Sequence, residues 1–282
     1  MWLRVESDVG DSGMTSKLPM LPDSWKKRYP FRTGTTSFIY PAGYIDNVVR
    51  LGPFLDEIEL LMFESQPESR PSDRLIHDLA RLGEDHAITY NIHLPTDLAL
   101  THPERDVRDR AGRIMQDFIL RLAPLDPSVY VLHLEPPGDI LNAKPLRDWQ
   151  QLAADCLGNL LQTGIPARRL ALENLFFPFD WLDPLIEAFD LCVCMDIGHL
   201  ALQNGDAEKF LKTYGTRIAI GHLHGLRGDQ DHVALSGLPT EYRRLLAAWL
   251  RAFTGTVSLE VFAYEPLLAS LACLDEMMGG ER

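Results

Sequence analysis

With 282 residues, 46% hydrophobic and 24% charged, the chain has room for one large α/β domain or two small ones and the composition of an ordinary globular protein. Its formal net charge of −13 argues against a protein that grips nucleic-acid backbone, because phosphate contacts come from a basic face of Lys and Arg. The cysteines (Cys156, Cys192, Cys194 and Cys273) do not have the pattern of a disulfide framework, and no apolar run reaches the length of a membrane span or forms a signal-peptide core. The expectation is a cytoplasmic protein with no membrane or nucleic-acid partner.

Residues 6–24 are rich in Gly, Ser, Asp and Pro and show no hydrophobic period, which predicts a poorly ordered leader over residues 1–30. A catalytic domain is expected over residues 31–282. From residue 32 onward, short apolar runs rich in β-branched residues alternate with longer segments of helical period. Strands are predicted at residues 34–40, 57–64, 88–94, 129–135, 170–174, 192–196, 218–224 and 257–262. Helices are predicted at 44–55, 72–85, 103–122, 146–161, 184–189, 207–214, 241–253 and 267–277. Strict βα alternation implies a parallel sheet with right-handed crossovers, and eight units favour a closed (β/α)8 barrel over an open sheet. Neither a Gly-x-Gly-x-x-Gly turn nor a Gly-x-x-x-x-Gly-Lys loop is present, which removes the usual nucleotide-binding readings.

In such barrels the active site forms at the C-terminal ends of the strands, and that is where the metal-ligand residue types fall. His93 ends the third strand, His133 the fourth and Glu173 the fifth. Asp196 ends the sixth and is followed by His199. The seventh carries His222 and His224, with Asp231-His232 just beyond, and Glu260 ends the eighth. Residues two apart on a strand share a face, so His222 and His224 point the same way, as do Cys194 and Asp196. A single strand-end histidine is more often a hydrogen-bonding residue than a ligand. The repetition here, interleaved with acids, predicts a centre for divalent cations, Zn or Mn, since converging buried carboxylates and imidazoles need a compensating charge. Glu64 ends the second strand within reach of the mouth, but Glu59, five residues earlier, cannot share its face, so at most one of the two is a candidate. Histidines 77, 86 and 102 fall away from the strand ends and read as surface.

These strand ends resemble the endonuclease IV-like branch of the xylose-isomerase-like superfamily. The resemblance rests on His93, His133, Glu173, the Asp196-Ile-Gly-His199 element, His222 and Glu260, in that order. It implies a first metal on His93, His133 and Glu173, and a second that shares Glu173 and adds Asp196, His222 and Glu260. A third would use His199 with an Asp-x-His pair; here the nearest match, Asp231-His232, is directly adjacent. A closer likeness lies in Pro30-Phe31-Arg32-Thr33-Gly34-Thr35-Thr36-Ser37, in the run from Asp56 to Glu64, in Glu173-Asn174 and in Asp231-His232. These stretches resemble the bacterial cobamide-remodelling phosphodiesterases (CbiR). That likeness implies a corrinoid substrate cut at the phosphodiester between its aminopropanol arm and the ribose of the lower-ligand nucleoside.

On this reading two cations, and a third if His199 and Asp231-His232 supply it, support hydrolysis, with Glu173, Asp196 and Glu260 as the catalytic carboxylates. Arg227 and His224 are further candidates for substrate contact. Three other functions fit the same scaffold: a sugar isomerase or epimerase, an abasic-site endonuclease, and a non-catalytic corrinoid- or sugar-binding barrel. The abundance of histidines favours the multi-metal hydrolase over the isomerase, the −13 balance disfavours DNA repair, and a binder does not need two cations.

Overall fold

The computed structural model describes residues 18–136 and 143–279. Eight parallel strands close into a barrel: β1 (Arg32–Thr36), β2 (Glu57–Leu61), β3 (Thr89–His93), β4 (Tyr130–Leu132), β5 (Leu170–Glu173), β6 (Cys192–Asp196), β7 (Ile218–Leu223) and, last in the chain, β10 (Thr256–Leu259). The order around the barrel is β1-β10-β7-β6-β5-β4-β3-β2. Helices α1 (Tyr44–Leu51), α2 (Asp73–His86), α3 (Arg105–Leu122), α4 (Ala143–Leu161) and α5 (Asp183–Phe189) cross over between successive strands. The short α6 (Ile197–Leu202) and α7 (Ala207–Tyr214) both lie between β6 and β7, while α8 (Thr240–Leu250) precedes β10 and α9 (Tyr264–Met278) closes the chain. The single (β/α)8 barrel predicted from the alternation is the fold.

Two apolar layers explain the closure. Outward-facing strand residues such as Ile58, Leu60, Ile92, Leu132, Leu172, Val193, Met195 and Leu259 pack against the helices in one large core. On α2 the buried residues Ile76, Leu79 and Leu82 recur at helical spacing, and Ser72 caps its start by accepting a hydrogen bond from the Leu75 amide at 3.2 Å. Inside the barrel a smaller cluster of Val129, Val131, Ala171, Cys192, Cys194 and Ile220 fills the lower cross-section. All four cysteines are buried and unbridged. Among the described residues, no helix is long and apolar enough to cross a membrane.

Three features depart from the sequence-based expectation. Residues 1–17 of the expected leader lie outside the described residues, but residues 18–30 pack against the barrel. Leu21 and Trp25 are buried in the main core, and the Tyr40 hydroxyl donates to the Pro19 carbonyl at 2.7 Å. Trp25 Nε1 donates to Asp275 Oδ1 of α9 at 3.0 Å, and Tyr29 and Arg28 converge on the same carboxylate. Apolar anchors spaced among polar residues carry no period, which is why composition alone suggested disorder. The second departure is α6, which begins directly at the end of β6 because the Asp196 side chain accepts a hydrogen bond from the His199 amide at 2.7 Å. The third is an antiparallel hairpin after β7, formed by β8 (Gly225–Arg227) and β9 (Gln230–Val233). Its two-residue turn places Gly228 at φ +60°, a conformation that glycine adopts without steric cost.

Candidate metal centre

Alternation along the strands builds the site from the apolar plug upward. His133 lies two residues after Val131, Glu173 two after Ala171, Asp196 two after Cys194, and His222 two after Ile220, so each projects into the barrel one layer above the plug. The register levels them: Asp196 pairs with His222, and His222 with Ser258. Glu59, Asn91, His93, Glu173, Asp196, His222, His224 and Glu260 are all buried, while His133 keeps partial access to solvent.

Glu173 is the centre of this layer. Its Oε2 lies 3.0 Å from His133 Nε2, 3.3 Å from His93 Nε2 and 3.7 Å from His222 Nδ1; its Oε1 lies 3.5 Å from His199 Nδ1. The ligand atoms of His93, His133 and Glu173 converge within 4.8 Å of one another, and so do those of Glu173, Asp196, His222 and Glu260. Glu173 is common to both groups. A further group of Asp196, His199, His224 and His232 converges equally closely, so Asp196 is shared in turn. Cys194 Sγ comes near Glu173 and His222 from below.

Several contacts hold the ligand atoms in place. Asn174 clamps the end of β6, with Nδ2 donating to the Asp196 carbonyl at 2.9 Å and Oδ1 accepting from the Asp196 amide at 2.7 Å. The His199 ring nitrogen Nδ1 lies 3.1 Å from the Asn174 carbonyl. Beneath His222, Glu59 Oε1 approaches Nε2 at 3.0 Å while Glu59 Oε2 accepts from Ser258 Oγ at 2.5 Å. His224 Nε2 reaches Asp196 at 3.1 Å, and its Nδ1 accepts from the His232 amide at 3.0 Å. His224 and His232 stack with ring centroids 4.2 Å apart. The glycine of the Asp-x-Gly-His element has a steric role: a Cβ on Gly198 would overlap the His224 imidazole.

Electrostatics decides what this cluster can hold. Glu59, Glu173, Asp196 and Glu260 are buried together, and among the described residues their ion pairs are all with histidines. Burial disfavours charge on Glu173, but His133 and His222 outweigh it and hold its carboxyl well below the usual range. Glu260 is lowered in the same way by His222 and His232, and Asp196 by His224 and His199. The reciprocal effect raises His93, His199 and His222 despite their burial, and lifts His232 to about 10. Protons and cations therefore compete for the same nitrogens. Both ring nitrogens of His222, Glu59 Oε1 and Glu260 Oε2 are buried without a well-aligned hydrogen-bond partner. Donors that lie close yet do not satisfy one another, in a mixed imidazole–carboxylate set, fit divalent transition-metal cations.

Of the site residues expected from the sequence, His93, His133, Glu173, Asp196, His199, His222, His232 and Glu260 come together at the mouth. Asp231 does not join the converging atoms; its carboxylate sits 2.9 Å from His232 Nδ1 and holds the ring, leaving Nε2 to face Glu260 at 3.5 Å. His224, expected as a substrate contact, is instead fully buried within the third group. Arg227 lies exposed beside the hairpin turn and contacts none of these residues. On the second strand the acid at the site is Glu59 and not Glu64, which is exposed beyond the strand end. The alternation Glu57-Ile58-Glu59-Leu60 carries that signal only once the barrel is closed: Ile58 and Leu60 pack against the helices, which leaves Glu57 and Glu59 inside.

The fold and this mouth define a class: a parallel eight-stranded barrel with a histidine–carboxylate centre at its strand ends. Residues 45–277 match the model of the xylose isomerase-like TIM barrel family, and the chain belongs to that family. No curated protein matches the chain in sequence. Solved structures share the barrel. The D-psicose 3-epimerase of Clostridium cellulolyticum, solved with D-tagatose, is 16% identical, with a TM-score of 0.67 over 88% of this chain and 99% of its own. Endonuclease IV from Thermus thermophilus is 18% identical, with a TM-score of 0.66 over 87% of this chain and 99% of its own. The TTHB071 protein of the same organism, soaked with ZnCl2, is 26% identical, with a TM-score of 0.64 over 80% of this chain and 89% of its own.

Proposed function

We propose that the protein is a divalent-metal-dependent phosphodiesterase that hydrolyses the nucleotide-loop phosphodiester of cobamides, releasing the lower-ligand nucleoside and a phosphorylated corrinoid. The observation that carries the hydrolytic part is the sharing of Glu173 between the His93–His133 group and the Asp196–His222–Glu260 group. A carboxylate common to two such groups is the arrangement a dinuclear centre needs. Bound divalent cations would supply Lewis acidity, offsetting the charge of a phosphodiester and acidifying a water near neutral pH. Zinc is the first cation to test, since it was the soak used for the TTHB071 relative.

The chain's own residues divide the remaining work. Glu173 joins the two ligand groups. Asp196 and Glu260 are kept ionised, and either is placed to accept the proton that an attacking water gives up. Asn174 and Glu59 hold Asp196 and His222 from behind. A cavity of about 310 Å³ is lined by His133 and Glu135 together with Thr96, Asp97 and Thr101, on the side of the site where His133 keeps partial access to solvent. The corrinoid assignment is supported by the likeness of residues 30–37 and 56–64 to the cobamide-remodelling family.

One observation favours a second reading. Glu173, Asp196, His222 and Glu260 alone make a complete four-residue set for one cation, and an epimerase is among the structural neighbours. The additional histidine-rich groups on either side favour the multi-metal hydrolase. Purified protein loaded with Zn or Mn is incubated with a cobamide, a ketose and an abasic-site duplex, and products are resolved by mass spectrometry. Release of the lower-ligand nucleoside with a phosphorylated corrinoid is expected; epimerised ketose with intact cobamide would overturn the proposal.

A further inference from the structure

Aromatic side chains gather on one side of the mouth. Phe38 follows β1, Phe63 follows β2 and Phe262 follows β10, three neighbouring strands of the barrel. Their rings run in series, Phe38 to Phe63 at 5.3 Å and Phe63 to Phe262 at 6.2 Å between centroids. The series continues to the imidazole of His232 at 5.3 Å from Phe262, so it ends on the metal-capable cluster itself. Tyr44 backs the arc edge-on to Phe38 and is fixed by its hydroxyl, which donates to the Leu61 carbonyl at 2.7 Å.

The arc is not buried. Phe63 is 38% exposed and Phe38 and Phe262 are partly so. Large apolar groups left in water at a site mouth, rather than scattered over helices, mark a surface that something covers. Phe176, on the opposite flank against His199 at 4.8 Å, stands alone and offers the width of a single ring. The arc is broader: three phenyl rings and an imidazole, with centroids 5.3 to 6.2 Å apart and each ring tilted 40 to 55° to the next, form a faceted apolar wall wider than one nucleobase.

We infer that the Phe38–Phe63–Phe262 arc is a subsite for the broad apolar periphery of the substrate's larger arm, a macrocycle and not a base, and that it sets the orientation in which the ester reaches His232 and Glu260. The inference rests on the phosphodiesterase reading for the bond that reacts, and on the ring geometry for what is bound. Contact with such a wall removes apolar area from water in proportion to its width, so it favours the methyl-bearing rim of a corrin over a single base.

The test uses the full zinc-loaded chain and two probes, cobinamide, which carries the macrocycle without a nucleotide, and a benzimidazole nucleoside. Kd is read by calorimetry for wild type and for Phe63→Ala, Phe63→Leu and Phe63→Tyr, with circular dichroism to verify the fold. Cobinamide binding is expected to weaken about tenfold in Phe63→Ala and partly in Phe63→Leu, while Phe63→Tyr restores it. Binding of cobinamide that does not respond to Phe63, or a Phe63 effect confined to the nucleoside, overturns the inference. The two proposals fail separately. If cobamide is hydrolysed with a KM indifferent to Phe63, the subsite falls and the phosphodiesterase stands. If cobinamide binds through Phe63 but no cobamide is cut, the subsite stands and the activity falls.

Discussion

Glu173 concentrates the chemistry of the site in one side chain. Glu173→Gln preserves its size and one acceptor oxygen but removes the charge that two ligand groups share. Metal retention should weaken and cobamide turnover should fall by several orders of magnitude, while the chelated variant keeps the circular dichroism spectrum of chelated wild type because the apolar layers that carry the fold lie elsewhere. Glu64→Gln is the contrast: the residue is exposed beyond β2 and its loss should leave turnover nearly unchanged. Wild-type kcat in Glu173→Gln at saturating metal would refute the dinuclear assignment. Most of this layer was legible in the sequence because strand ends and residue types coincide from His93 to Glu260. Glu59 was not, since an acid within the second strand looks like a solvent face until closure turns that face inward. His224 was misassigned for a related reason: its neighbour across the site, Gly198, is distant along the chain.

At the scale of elements, the eight strands were legible from their apolar runs, whereas α6 and the β8–β9 hairpin were not. Both are short and are specified by single contacts rather than by periodicity: the Asp196 cap in one case, the Gly228 turn in the other. Together they bring His199 and His232 over Asp196. This makes Gly198→Ala a sharp probe of α6. The added methyl would collide with the His224 ring, which has no free space to occupy, so His224 must leave the Asp196 carboxylate. Elemental analysis should show about one fewer metal per chain than wild type, with the other ions retained; full occupancy would show that the third group holds no cation. The segment before β1 calls for a separate test. Trp25 is buried in the core and its indole donates to Asp275, so Trp25→Ala should cost about 3 kcal/mol in denaturant unfolding. An unfolding free energy equal to wild type would return residues 18–30 to the status of a loose leader.

At the scale of the whole molecule, a chain of net charge −13 gathers four buried carboxylates and a ring of histidines at one end of its barrel. Positive charge must reach that end as cations or as protons on imidazole, and the two can be separated by chelation and pH. His232 makes the sign definite. Burial opposes its charge, but Glu260 and, behind it, Asp196 and Asp231 raise it to about 10 in the metal-free fold. An unfolded histidine titrates near 6.5. The folded state thus binds the proton more tightly, and the resulting stabilisation is complete below about 6.5 and disappears as pH rises through about 10. Chelated wild type should therefore exceed chelated His232→Gln in melting temperature at pH 6, and the gap should close towards pH 10. Loading with Zn or Mn should raise the wild-type melting temperature, and more so as pH rises from 6 to 9, because fewer protons remain to be displaced from the ligand nitrogens. Protons released on loading, measured by calorimetry in buffers of different ionisation enthalpy, give the same exchange directly. A loaded protein that takes up two to three equivalents of metal with proton release fits the centre described, whereas a melting temperature and proton count indifferent to added metal would mean that the histidines serve only to neutralise the acids.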